Sequence, residues 1–163
     1  MKGIAERIKE KSRWTIRKFR SEKEWKENRP YEVSSFDGNI LLNEGINELW
    51  TILCSSGGTK FDNANAYLGV GDGTAVEDAT QTALQGTNKF YKAMDTGYPT
   101  YGSGQKAVWK ATFQGTEANF SWQEFTVANG NSDAAMNLNR KVSDQGTKTS
   151  GQVWELTLEI SLS

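Results

Sequence analysis

Histidine is absent from this sequence of 163 residues, and cysteine and proline are scarce, with one and two copies. Without imidazole there is no Ser-His-Asp or Cys-His triad, no histidine general base, no HExxH zinc site and no histidine pH switch. A single Cys54 leaves neither a disulfide framework nor a CxxC zinc or redox site. No apolar run approaches the ~18–20 residues that a membrane span requires. The opening MKGIAERIKEKSR lacks the apolar stretch of a secretory signal. Carboxylates, lysines, tyrosines and hydroxyls remain for chemistry, so the composition leans away from an enzyme, and no cofactor is expected.

What is present is charge, unevenly placed. The totals nearly cancel, 19 basic against 20 acidic side chains, but residues 1–33 hold 11 Lys/Arg against six Asp/Glu and the remainder is net acidic. Such a split suggests a basic arm on an acidic body. Seven large apolar side chains are spread through it: Ile4, Ile8, Trp14, Ile16, Phe19, Trp25 and Tyr31. That is too many for a solvated tail and too few for a core, which predicts an extended arm, residues 1–36, that docks on another chain. The residues expected to make those contacts are Trp14, Ile16, Arg17, Phe19, Arg20, Trp25 and Tyr31. Locally, Ile4 and Ile8 suggest a helical turn, 13–20 reads as extended, and Ser21 to Glu24 has capping-box spacing for a short helix ended by Arg29-Pro30. The acids interspersed among the bases dilute any phosphate footprint, so nucleic acid is not the expected partner.

The body, residues 37–163, opens with an amphipathic segment. Leu42, Ile46, Leu49, Trp50 and Leu53 recur at helical spacing, predicting a helix near 42–55 with one buried stripe, Asn43 as N-cap and Gly57-Gly58 as the stop. Cys54 reads as a small buried hydrophobe near its end. From residue 59 the period falls to two. Strands are expected at 65–70, 90–94, 106–113, 120–127, 136–142 and 153–162, with a turn or two of helix in 76–86 and a long loop at 96–105. Phe120 and Trp122 share a parity that Phe125 and Val127 do not, which predicts a β-bulge near Gln123-Glu124. The fold class is therefore mainly β: an antiparallel β-sandwich, jelly-roll-like, with one amphipathic helix and an extended N-terminal arm.

Candidate chemistry is thin. Gly69-Val-Gly71-Asp-Gly73 lacks the spacing of a phosphate loop and reads as a turn between strands. Asp72, Glu77 and Asp78 lie close enough in sequence to consider a calcium cage, without EF-hand spacing to support it. Glu117 and Glu124 form a nominal carboxylate pair of glycosidase type, as any chain rich in acids will offer. Trp109, Trp122 and Trp154 lie on alternating strands and read as core. Tyr98 and Tyr101, beside Pro99 and glycines, are the better candidates for surface recognition.

The segments LLNEGINELWTIL, NANAYLGVGDGTAVEDATQTALQG, MDTGYP, WKATFQGTEANFSWQEFTVANG and LNRKVSDQGTKTSGQVWELTLEISLS, in that order over residues 38–163, resemble capsid decoration (cement) proteins of tailed bacteriophages. They are more weakly similar to the N-terminal modules of phage tail-fibre proteins. The resemblance implies a virion structural protein on the capsid exterior, made in the host cytoplasm and without catalytic residues. It also implies a homotrimer that binds the major capsid protein and stabilises the shell by clamping neighbouring subunits. In that setting the arm would reach neighbouring decoration subunits. A tail, baseplate or fibre-adaptor role is the alternative, weakened by the lack of any shaft or tip domain after the sandwich.

Overall fold

In a computed structural model describing residues 8–163, the chain forms ten strands and two helices. In chain order these are β1 (Glu10–Phe19), α1 (Glu22–Lys26), β2 (Glu32–Asp37), β3 (Ile40–Leu41), α2 (Asn43–Cys54), β4 (Tyr67–Gly71) and β5 (Lys89–Ala93). They continue with β6 (Thr100–Ser103), β7 (Lys106–Phe113), β8 (Glu124–Ala128), β9 (Asn139–Val142) and β10 (Val153–Leu162). Two antiparallel five-stranded sheets result, ordered β2-β1-β10-β7-β6 and β3-β9-β8-β4-β5. The expected mainly β, sandwich-like fold is present.

The clean alternation of β7 and β10 becomes the inner face of the first sheet. Trp109, Ala111 and Phe113 point inward beside Trp154, Leu156, Leu158 and Ile160, against Leu68, Val70, Phe125 and Val127 of the second sheet. Trp122 sits at the centre, edge-on to Phe113 and Trp154 with centroids 4.8 Å from each. Both Trp154 and Leu158 are buried, so Trp154→Ala and Leu158→Ala should each cost about 3–5 kcal/mol in urea denaturation. A loss below about 1 kcal/mol would refute this register.

The largest correction concerns the arm. β1 is an inner strand of the first sheet, paired with β10 from Glu10↔Leu162 to Phe19↔Val153 and with β2 from Arg13↔Asp37 to Lys18↔Glu32. Trp14, Ile16 and Phe19 are fully buried in the core. The 36/37 boundary falls inside β2, so residues 10–36 belong to the sandwich. The difference has a physical source: a strand whose outward positions are charged and whose inward ones are few resembles a tail until its partner, some 140 residues away, is in place. The charge split is answered inside the sheet as well. Arg17 pairs with Glu155, Lys18 with Glu32 and Arg13 with Asp37, so basic β1 is neutralised across strands by β10 and β2. Ile4 and the helical turn expected around it lie outside the described residues, except that Glu10 and Lys11 are strand.

Smaller expectations divide. Helix α1 forms with Ser21 as N-cap, its Oγ accepting from Glu24 N at 3.2 Å, while the Glu24 carboxylate turns back to accept from Arg20 N. Residues 76–86 form no helix; their backbone is tied to neighbouring loops and to Glu124. The loop at 96–105 contains the short edge strand β6. At 123–124 the strand is interrupted rather than bulged: an isolated bridge at Ser121 precedes β8, and Gln123 N donates to Gly71 O. The break accounts for the parity shift, because Trp122 and Phe125 both face the core.

Helix α2 has the expected position but not the expected burial. Its N-cap is Leu42, not Asn43, and it docks through Gly45, where a Cβ would collide with the Leu138 backbone. Leu42 is buried, whereas Leu49, Trp50 and Leu53 are 43%, 60% and 74% exposed, and Cys54 is exposed too. The close approach at Gly45 and the bond from Leu42 N to Leu138 O tie down the first half of the helix, and the second half projects. Among the described residues no helix is long and apolar enough to cross a membrane.

Candidate functional site

The most elaborate polar cluster surrounds Glu124. Its side chain and that of Arg140 are fully buried, with Nη2 2.7 Å from Oε2 and Nε donating to the same oxygen at 2.8 Å. Backbone N–H groups of Gly73, Gln85 and Gly86 donate to the carboxylate at 3.2, 2.9 and 2.7 Å. Arg140 Nη1 donates onward to Ala75 O and Gln81 Oε1. The glycines of the Gly69-Val-Gly71-Asp-Gly73 run are explained here, since a Cβ at Gly71 or Gly73 would strike the Glu124 carboxylate. N–H groups of the kind that cradle a phosphate are spent on a protein carboxylate. The cluster is a clamp for the 72–88 loop, with every oxygen engaged and no opening for a substrate.

Glu117 lies elsewhere. It pairs with Lys92 at 2.6 Å and accepts from Gln114 N at 2.7 Å, whereas Glu124 is bound to Arg140. Beside it, fully buried Lys148 donates from Nζ to Gln114 O, Glu117 O and Asn119 Oδ1 at 2.8–2.9 Å. Burial pushes the Lys148 ammonium down to about 8, against a smaller upward pull from Glu117. Between that value and the ordinary 10.5 the unfolded chain keeps a proton that the folded chain has released. Unfolding free energy therefore gains a contribution as pH rises across this window, up to about 3 kcal/mol. Urea denaturation at pH 8 and pH 10 should show that rise in the wild type and lose it in Lys148→Met. Equal pH slopes in the two proteins would overturn it.

The suggested cation cage does not assemble. Asp72 accepts from Asn88, Glu77 from Val142 N beside Lys141, and Asp78 from Thr80. Among the described residues no group of three or more carboxylate or cysteine side chains is arranged to hold a metal ion.

The seven residues assigned to a docking arm are scattered by the fold. Trp14, Ile16 and Phe19 are core and cannot be offered to another chain while the protein stays folded. Arg17 and Trp25 converge with Lys110 on Glu155, at 2.7, 2.9 and 3.2 Å. Burial alone would raise the Glu155 carboxyl; the Trp25 indole, Lys110 and Arg17 outweigh it and hold it below the usual range. Arg20 lies over the Tyr31 ring, 4.7 Å from its centroid, near the sheet margin. Of the seven, Arg20 alone is clearly exposed, with Arg17, Trp25 and Tyr31 half-buried.

Tyr98 and Tyr101 are brought together. With Pro99, Asp62 and Asn63 they line a shallow cleft of about 480 Å³, and Asn63 Nδ2 donates to Tyr98 O and Asp95 O to hold the loop. Tyr101 is 76% exposed, while Tyr98 is half-buried near Lys110.

No family model, curated protein or solved structure matches the chain.

One surface differs from the sequence expectation. Leu49, Trp50 and Leu53, expected in the buried stripe, are exposed, and Leu49 lines an apolar groove of about 360 Å³ together with Leu41, Phe61, Trp109, Ile160 and Leu162. The signal was available in part: the apolar stripe of α2 is wider than the face that Gly45 lets the helix bury.

Proposed function

We propose that this chain is a virion structural protein that decorates the outer surface of a tailed-phage capsid and stabilises it by bridging neighbouring capsid subunits. The observation that carries the reading is the ordered set of segments over residues 38–163 that resemble capsid decoration proteins. The compact antiparallel sandwich is compatible with it, and so is the way the buried ionic groups Glu124, Arg140 and Lys148 are consumed in holding loops. The reading assigns no catalytic step and no cofactor. The major capsid protein is the partner, and copies of the chain associate with one another as trimers.

The route of attachment differs from an inserted arm, because β1 and β2 are committed to the sheet. Bridging falls to surfaces of the folded body, and each bridge adds contacts that must break before capsomers separate. Several weak contacts per subunit suffice when they act together. The test is to add purified protein to expanded shells that lack it. Co-sedimentation with the shells and increased resistance to heat are expected; absence of both would sink the reading. Labelling the protein in intact particles separates the capsid role from a tail or baseplate one.

A further inference from the structure

Lys148 and Asn119 meet where the loops on either side of β8 and β9 run together. The backbone sets them face to face: Lys148 N donates to Phe120 O at 3.1 Å, Gly151 N to Gly115 O at 2.9 Å, and Ser121 bridges Thr147. Lys148 is fully buried, and its Nζ lies 2.9 Å from Asn119 Oδ1. The Asn119 amide is also held from its nitrogen, since Nδ2 donates to Gly115 O at 3.0 Å. We propose that this pair is a site of self-modification, at which Lys148 and Asn119 condense into an intramolecular isopeptide bond. The inference does not depend on the virion reading.

An ammonium donates three hydrogen bonds, and Lys148 has three acceptors, Gln114 O, Glu117 O and Asn119 Oδ1. The neutral amine keeps two hydrogens and gains a lone pair. Gln114 O and Glu117 O belong to a turn closed by Glu117 N donating to Gln114 O at 3.0 Å, so these two carbonyls keep the hydrogens. The lone pair is then turned to the Asn119 side chain. Burial lowers the Lys148 ammonium to about 8, which makes the nucleophilic form available in mildly alkaline solution. An amide is a weak electrophile, and an amine held against it in a fixed geometry supplies what collisions in water do not.

In the reaction Nζ attacks Asn119 Cγ and the carbonyl electron pair moves onto Oδ1. As that pair returns, the Cγ–Nδ2 bond breaks and its electrons stay on the nitrogen. The proton released by Nζ passes to the same nitrogen, which departs as ammonia. One Nζ–Cγ bond replaces one Cγ–Nδ2 bond, and nothing is oxidised or reduced. Glu117, the carboxylate whose charge is felt at the Lys148 ammonium, relays the proton. Asn119 is exposed, so the ammonia has a path to water. The product closes β8 and β9 into a covalent loop, 119–148, and restricts the unfolded chain as a disulfide would. The single cysteine of this sequence permits no internal disulfide.

Intact-mass spectrometry of the full chain, followed during incubation at about pH 9, tests the proposal. The expected result is the loss of one ammonia, with a tryptic product in which the peptides of Lys148 and Asn119 are joined. Lys148→Met and Asn119→Ala should both keep their full mass; Asn119 is exposed, so the second substitution leaves the core untouched. Glu117→Gln should convert at least about tenfold more slowly. The rise of stability with pH described for Lys148 belongs to the free amine, is measured on chains of full mass, and is expected to vanish in the joined chain. A wild type that stays at full mass overturns the proposal. Ammonia lost without a link between Lys148 and Asn119 overturns it as well, because it marks ring closure at an asparagine instead.

Discussion

A chain beginning at residue 38 is expected not to fold. Removing the first 37 residues deletes β2 together with β1, the strand that lies between β2 and β10. Trp14, Ile16 and Phe19 leave the core, each fully buried in the intact protein. Burial of three such side chains contributes about 5–9 kcal/mol. That is comparable to the whole stability of a domain, about 5–15 kcal/mol. The deletion also strips Trp14 from its contacts with Phe36 and Phe125, 6.1 and 5.6 Å between centroids, and turns ten-residue β10 into an unprotected edge. Far-UV circular dichroism with urea titration should find no cooperative transition, and the product should aggregate. A soluble 38–163 fragment that unfolds cooperatively would restore the arm-and-body division. Removing residues 1–7 leaves every described strand pair in place and serves as the control.

Glu124→Ala is expected to be the most damaging single substitution, at upward of about 5 kcal/mol. Breaking a buried ion pair from one side typically costs about 3–5 kcal/mol, because the remaining charge stays in a low-dielectric site without its partner. Here three backbone N–H groups, of Gly73, Gln85 and Gly86, lose their acceptor at the same time. Arg140 keeps only Ala75 O and Gln81 Oε1. The double change Glu124→Ala with Arg140→Met should be less harmful than the sum of the single ones, since it removes both charges. Urea midpoints of the four proteins complete the cycle. A loss below about 2 kcal/mol for Glu124→Ala, or strict additivity, would show that the pair does not secure the 72–88 loop.

Legibility followed periodicity. β7 and β10 alternate so regularly that their bounds, 106–113 and 153–162, were readable from sequence and coincide with the observed strands. The helix near 42–55 was readable for the same reason, within a residue at each end. The Glu124 cluster was not, because its five contributors lie between residues 73 and 140 and meet only once β4, β8 and β9 are side by side. The α2 face was missed for a related reason. A wide apolar stripe indicates that something must cover it, and Gly45 against the Leu138 backbone sets how little of it the chain itself covers.

The sequence by itself determined the absence of imidazole chemistry, the mainly β character and the inward sides of the longest strands, because composition and a two-residue period are local properties. Tertiary structure decided where the basic segment belongs. A strand with Lys, Arg and a few aromatics is equally suited to a docking arm or an inner strand, and only the acidic and apolar positions of a partner distant in the chain distinguish them. Glu155 beside Arg17 and Leu158 beside Trp14 supply that partner, so the imbalance of charge along the chain becomes a balance across the sheet.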